Sequence, residues 1–134
     1  MAKIVLTNAY VSVGGVDLSD SISSVSLSTT RDAVETTAFG STAARTRVAG
    51  LADNSVTFEF HQDFATSEVE QTIYPLIGTT TTVIINANGS STTTTNPSYT
   101  FSALVTEWTP VNGAVGELAT ASVTWPISGA ITKA

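Results

Sequence analysis

From Ser55 to His61 the chain alternates without a fault, with Val56, Phe58 and Phe60 on one side and Thr57, Glu59 and His61 on the other. A period of two puts successive side chains on opposite faces of an extended backbone, so this segment is a β-strand with an aromatic face inside and a polar face outside. The pattern recurs. Val25 and Leu27 alternate with Ser24, Ser26 and Ser28 inside a strand predicted over residues 22–29. Ala119, Ala121, Val123 and Trp125 alternate with Thr120, Ser122 and Thr124. Thr81 to Asn86 is a β-branched run, and residues 99–109 and 117–127 read as two long strands joined across residues 110–116. Gly14-Gly15 sits between Tyr10-Val11-Ser12-Val13 and Val16-Asp17-Leu18, where a two-residue glycine link predicts a tight hairpin. The chain is mainly β.

One helix interrupts the strands. Ser67 and Glu70 have the spacing of a capping box, and Val69, Ile73 and Leu76 follow on one helical face. Pro75 removes a backbone donor and disfavours helical geometry at Tyr74, so a short helix of about two turns is expected over about residues 67–76. Residues 30–54 have no steady period of either kind and hold all three arginines. A connection of that length inside a small domain is usually functional, and it is read as a long extended arm.

The chain has 134 residues, the size of one domain, and no cysteine, which excludes disulfides and thiolate chemistry and suits a reducing cytoplasm. No apolar stretch approaches the length that spans a bilayer, and Ile4-Val5-Leu6 is too short for a signal peptide, so the expectation is a soluble chain with no membrane partner. The mean hydropathy of +0.22 therefore belongs to core strands.

Charged residues make up only 12% of the chain, while Ser and Thr number 16 and 24, so hydroxyls must cover much of the surface. Such a surface opposes edge-to-edge association weakly, which suits a protein that assembles with its own copies. With a net charge of −6 and no basic stripe, the chain is not built to grip phosphates.

The residues that carry chemistry elsewhere are missing or isolated. His61 is the sole histidine, it falls on a polar strand face beside Glu59, and no nucleophile elbow accompanies it. Zinc finds too few ligands, and neither phosphate-binding glycine motif occurs. Asp17 and Asp20 lack the rest of a calcium loop and read as a solvated turn. Asn88-Gly89-Ser90 matches a glycosylation triplet without a secretion signal and reads as a turn. Trp108 and Trp125 could form a sugar-binding platform, but their strand positions favour core packing. No enzyme activity and no cofactor or metal are expected.

The order of motifs is informative. A glycine hairpin with Val16-Asp17-Leu18-Ser19 and a Ser-rich strand come first. A long arm follows, opening Thr30-Arg31-Asp32-Ala33-Val34-Glu35-Thr36-Thr37 and closing Ala49-Gly50-Leu51. The Val56-Thr57-Phe58-Glu59-Phe60 strand, a short helix and a C-terminal hairpin complete the chain. Over nearly its whole length this resembles the tail tube proteins of long-tailed bacteriophages.

The resemblance implies a single β-sandwich or barrel-type domain over residues 1–134 with one flanking helix. It implies hexameric rings whose inner sheets join into one barrel, and stacking of rings into a hollow tube through which DNA passes. It also implies a place in the virion tail after assembly in the host cytoplasm, beside partners such as the tape measure and tail terminator proteins. The arm of such proteins reaches neighbouring subunits and rings, which puts Arg31, Asp32, Glu35, Arg45, Arg47 and Leu51 at inter-subunit contacts. For the lumen, either Thr57, Glu59 and His61 or the Ser24, Ser26 and Ser28 face is a candidate, and either face could instead be an outer one. The rival from another class is a monomeric immunoglobulin-like or carbohydrate-binding virion decoration domain.

Overall fold

The computed structural model describes residues 3–40, 43–89 and 91–134. Its strands are β1 Tyr10–Val13, β2 Val16–Asp17, β3 Ile22–Glu35, β4 Arg47–His61, β5 Thr80–Asn86, β6 Ser98–Leu104 and β7 Thr120–Lys133. All pair antiparallel in the order β2-β1-β5-β6-β7-β4-β3. The helix α1, Val69–Ile73, passes directly into a 3-10 turn at Tyr74–Leu76, where Pro75 stands. Among the described residues no helix is long and apolar enough to cross a membrane.

The strand β7 is the seam of the fold. Residues 120–126 pair with β4, while residues 127–133 pair across the opposite edge with β6. The run of strands therefore doubles over along β7 into two layers, and the apolar faces of both layers meet. Val11, Val13, Val83 and Phe101 come from one layer, and Val56, Phe58, Phe60, Val123 and Trp125 from the other. Phe58 and Trp125 meet edge to face with ring centroids 5.7 Å apart, a geometry aromatic quadrupoles favour. Val69 and Ile73 of α1 are also fully buried in this core.

Local sequence explains most of the elements. Gly14 and Gly15 have φ of +60° and +86°, the pair of left-handed conformations that a two-residue hairpin needs and that glycine adopts at little cost. The parity read from the sequence holds: Val56, Phe58, Phe60, Ala121, Val123 and Trp125 are all buried. Trp108 packs partly buried against the same core, with its ring 5.4 Å from Phe60.

Three expectations need correction or refinement. Ser67 forms no capping box: the helix begins after Glu68 with no side-chain cap, and Ser67 has φ of +64°. The Glu70 carboxylate is engaged elsewhere, accepting from Trp108 Nε1 at 2.8 Å and Gln62 Nε2 at 3.1 Å. A hydrogen bond to a charged acceptor contributes roughly 1.5–3 kcal/mol, more than a typical cap gives a helix of one turn. The strand expected over residues 99–109 stops at Leu104, and the strand expected from Glu117 begins at Thr120 and runs on to Lys133. Residues 105–119 instead cross the outer edge of β7, with the Glu107 carboxylate accepting from the Thr124 N–H at 2.7 Å.

The arm is present as the outer end of the β3–β4 hairpin. Cross-strand pairing continues to Glu35↔Arg47, so most of it is regular ribbon. Residues 28–35 and 47–53 are exposed on both faces apart from the half-buried Gly50, which is why no alternation marked them. A period of two appears in sequence only where one face is buried.

Phe58→Ala is expected to lower the unfolding free energy in a urea titration by about 3–5 kcal/mol, because it leaves a cavity between the layers. Phe39→Ala, fully exposed beyond the ribbon, is expected to stay within about 0.5 kcal/mol of the parent chain.

Candidate assembly surface

The two polar sets that the sequence left as alternatives lie on one face. In the β3–β4 ladder Ser24 opposes Glu59, Ser26 opposes Thr57, and Ser28 opposes Ser55. In the β4–β7 ladder Glu59 opposes Ser122, Thr57 opposes Thr124, and His61 opposes Thr120. Directly opposed residues point to the same side, and the Thr57 and Thr124 hydroxyls are 3.1 Å apart. The result is a sheet face of hydroxyls. Its charges are Glu59 and, one pair beyond Ser28 and Ser55, Asp53 opposite Thr30. His61 stands at its end, and no lysine or arginine alternates onto it between residues 53 and 61 or 120 and 124.

The sheet that carries this face ends at β3, whose 14 residues have β4 on one side and, among the described residues, no strand on the other. An unpaired strand border presents backbone donors and acceptors that another chain can meet. The opposite end of the strand order is β2, only two residues long and so a small border. The β7 border is already occupied: the Thr120 N–H donates to the Asn112 carbonyl at 3.3 Å, and the Thr124 N–H to Glu107.

Every residue expected on the arm lies on the ribbon or the turn that closes it. Arg45 Nη1 donates to Glu35 Oε1 at 3.1 Å, and Arg47 lies directly across the ladder from Glu35. Both partners of the ion pair are well exposed, so it is worth about 0–1 kcal/mol. Arg31 donates to the Gly50 carbonyl at 3.2 Å. Asp32 lies at an irregularity of register between Arg31 and Ala33, opposite the Gly50 region. Leu51 is 81% exposed and, with Val34, Val48 and Phe39, makes the ribbon apolar as well as charged. Ser41 and Thr42 of the turn fall outside the described residues.

The remaining candidates are placed as follows. Asp17 accepts from the Ser19 N–H and hydroxyl, shaping the turn before β3. Glu68, before α1, is held above the ordinary carboxylate range by desolvation and then by the nearby charges of Asp20 and Asp63. Among the described residues no group of three acids, histidines or cysteines could hold a metal. Asn88 and Gly89 lie in the β5–β6 connection, and Ser90 of the triplet lies outside the described residues.

Sequence reasoning missed two features. It did not find Asn54, 4% exposed, whose Oδ1 has no hydrogen-bond partner. It also passed over the exposed apolar side chains Val111, Val115 and Leu118 of the β6–β7 connection. Asn54 interrupts an otherwise apolar-or-small inward parity, a weak signal, and the loop residues gave none.

No family model matches the chain, and no curated protein matches it by sequence. Solved structures do. A chain of the virion of a native gene transfer agent particle superposes with a TM-score of 0.70 at 12% identity, over 85% of each chain. A chain of the tail of an empty gene transfer agent particle, refined helically with C6 symmetry, gives 0.60 at 14% identity over 84% of this chain and 81% of that one. A chain of the six-fold symmetrised anti-feeding prophage baseplate gives 0.64 at 11% identity over 100% of this chain and 97% of that one.

The ribbon supplies a test of its own geometry. A Cβ on Gly50 would meet Val34 Cγ2 at 2.9 Å and Asp32 Cβ at 3.1 Å, contacts too close to keep without a shift of the facing strand or its side chains. Gly50→Val is expected to abolish hydrogen-exchange protection at residues 32–35 and 47–50 while leaving that of the core strands intact. At these identities the likeness is one of fold: this chain has the mainly β fold of those particle chains.

Proposed function

We propose that this chain is the repeating structural subunit of a phage-type tail tube, acting mechanically and without an active site, cofactor or metal. Copies close into rings, hexameric in this reading, and the rings stack into a hollow conduit for DNA during ejection. The observation that carries the reading is the coincidence of two properties in one sheet. Its outward face is hydroxyl-rich and free of cations, and its border strand β3 is bare.

A sheet with an unpaired border becomes safe when neighbours close it into a barrel. The same closure turns the hydroxyl face inward. Each lysine or arginine on a bore would hold phosphate and slow a moving polyanion, so Ser24, Ser26, Ser28, Thr57, Glu59 and His61 form a suitable lining. The ribbon of residues 30–51 then lies against a sister subunit, which covers its two wet faces. A two-stranded ribbon is marginally stable alone, so a neighbour would also order it. Arg31, Asp32, Glu35, Arg45, Arg47 and Leu51 would sit at that contact. The virion and tail particles whose chains share the fold, one refined helically with C6 symmetry, support this reading.

On this reading the chain belongs to the virion tail, assembles in the host cytoplasm, and meets partners such as tape measure and tail terminator proteins. It needs no membrane and no specific DNA contact. Against the sugar-binding alternative, Trp125 is fully buried, and Trp108 is partly buried with its ring packed against Phe60.

Negative-stain microscopy of the concentrated protein is expected to show rings or tubes with a central channel, and a chain that stays monomeric at every concentration sinks the reading. The double charge reversal of Arg45 and Arg47 to glutamate is expected to shorten or abolish tubes with the urea midpoint of the monomer unchanged. Normal tubes from that variant would remove the electrostatic role of the ribbon and leave the tube itself standing.

A further inference from the structure

Between the two layers, at the base of the ribbon, lies an open groove of about 600 Å³. Its walls are apolar, with Leu27 from one layer and Ile85, Tyr99 and Ile131 from the other, and its lining includes the cations Arg31 and Lys133. Neither cation has a carboxylate partner, since the Arg45–Glu35 pair is the only ion pair among the described residues. Asn54 also lines the groove, 4% exposed, with its Nδ2 donating to the Gly129 carbonyl and its Oδ1 unmet. With apolar walls and two cations that lack carboxylate partners, the groove suits an occupant that is apolar and acidic at its edge.

The chain itself carries a segment of that description. Val111, Val115 and Leu118 stand 84%, 106% and 63% exposed on the β6–β7 connection, beside Glu117 and with no cation between residues 105 and 119. The base of this loop is fixed: Gln62 Nε2 donates to the Pro110 carbonyl at 2.7 Å, and Asn112 Nδ2 to the Thr120 carbonyl at 3.1 Å. A loop held in shape before contact loses less entropy on docking. Another exposed apolar candidate, Phe39 at the ribbon end, stands among Arg45 and Arg47, which outnumber Glu35 there, and so has the wrong sign for a cationic rim.

Loop and groove lie at opposite ends of the sheet. The His61↔Thr120 pair marks the loop's end, and Asn54 lies seven residues back along β4, roughly 20 Å away. A knob at one end and a socket at the other cannot satisfy each other within one subunit. Between copies they make a head-to-tail contact that propagates as a filament.

We propose that the groove receives the 111–118 loop of a second copy in the next ring, with Val115 and Leu118 entering between the layers and Glu117 meeting Arg31 and Lys133. This rests on the stacked-ring reading and names the contact that stacks the rings.

The chain has no cysteine, which allows a clean cross-linking test on the full-length protein. In oxidised tubes of the double variant Val115→Cys, Ala130→Cys, a ladder of dimers, trimers and longer multimers is expected. Tubes mixed from the two single variants should give dimers and nothing longer. Tubes that form yet yield no ladder overturn the contact, as does a ladder from Phe39→Cys, Ala130→Cys with none from the first pair.

Should the cysteine variants not assemble, charge exchange decides. Glu117→Lys and Lys133→Glu are each expected to shorten tubes several-fold with rings retained, and the double exchange to restore length. Unchanged tubes from both single exchanges overturn the proposal. A wild-type chain that forms no tube removes the parent reading instead, a result seen in the untouched protein and so separable from failure of the contact.

Discussion

A strand at the border of a sheet leaves every second N–H and C=O to water or to another chain, and β3 carries 14 residues of such border. Isolated domains blunt long borders with lysines, prolines or cover from a loop. β3 contains no proline and no lysine, and Arg31 is its only cation. Its two register irregularities, near Ser23 and Asp32, bend the border without closing it. Residues 32–35 of β3 are exposed on both faces and have a strand on one side only. In the tube reading the backbone of this half of the hairpin is completed from outside the chain, and that single need gives the remaining surface features a common direction.

The contrast with β7 sharpens the point. Its outer border along residues 120–126 is filled by the chain's own β6–β7 connection, through the Asn112 carbonyl and the Glu107 carboxylate. The Trp125 indole N–H also bonds to the Glu107 carbonyl, at 3.0 Å, which ties that cover to the core. Holding Glu107 and Asn112 against β7 leaves the residues just beyond them no place in the core. Val111, Val115 and Leu118 are then pushed into water. One segment thus protects a border and presents an apolar knob, and both follow from the same anchoring bonds.

What the sequence made legible follows from where burial acts. Alternation at residues 22–29, 55–61 and 119–125 revealed the inner and outer faces, because an apolar core enforces parity within one chain. It could not reveal that Ser26, Thr57 and Thr124 share a row, since strand order depends on β7 crossing between layers near Pro126 and Gly129. The arm was visible only as an absence of period. The capping box at Ser67 was misread because local spacing ignores competitors, and Trp108, 38 positions on, takes the Glu70 carboxylate. Asn54 and the 111–118 loop were silent because neither carries a periodic pattern that burial within one chain would impose.

Charge distribution joins these features. Between Gln71 and Thr106 the chain has no ionisable acid or base beyond its tyrosines, so the layer built from β5 and β6 is electrically quiet. The arginines lie at the ribbon end, and the hydroxyl face carries only carboxylates and one histidine. In the tube reading these three zones have different neighbours: solvent or a sheath outside, sister subunits at the ribbon, and a polyanion within. At physiological salt, charges more than about 8 Å apart are largely screened, so each zone acts by its own composition rather than by the net charge of the chain. A subunit with its cations spread evenly would hold the cargo wherever it touched, and one with none would lose the attraction that aligns acidic copies. In the tube reading, separating the two along a single hairpin, with Arg31 to Arg47 toward one end and Glu59 near the other, lets one pair of strands serve assembly and passage together.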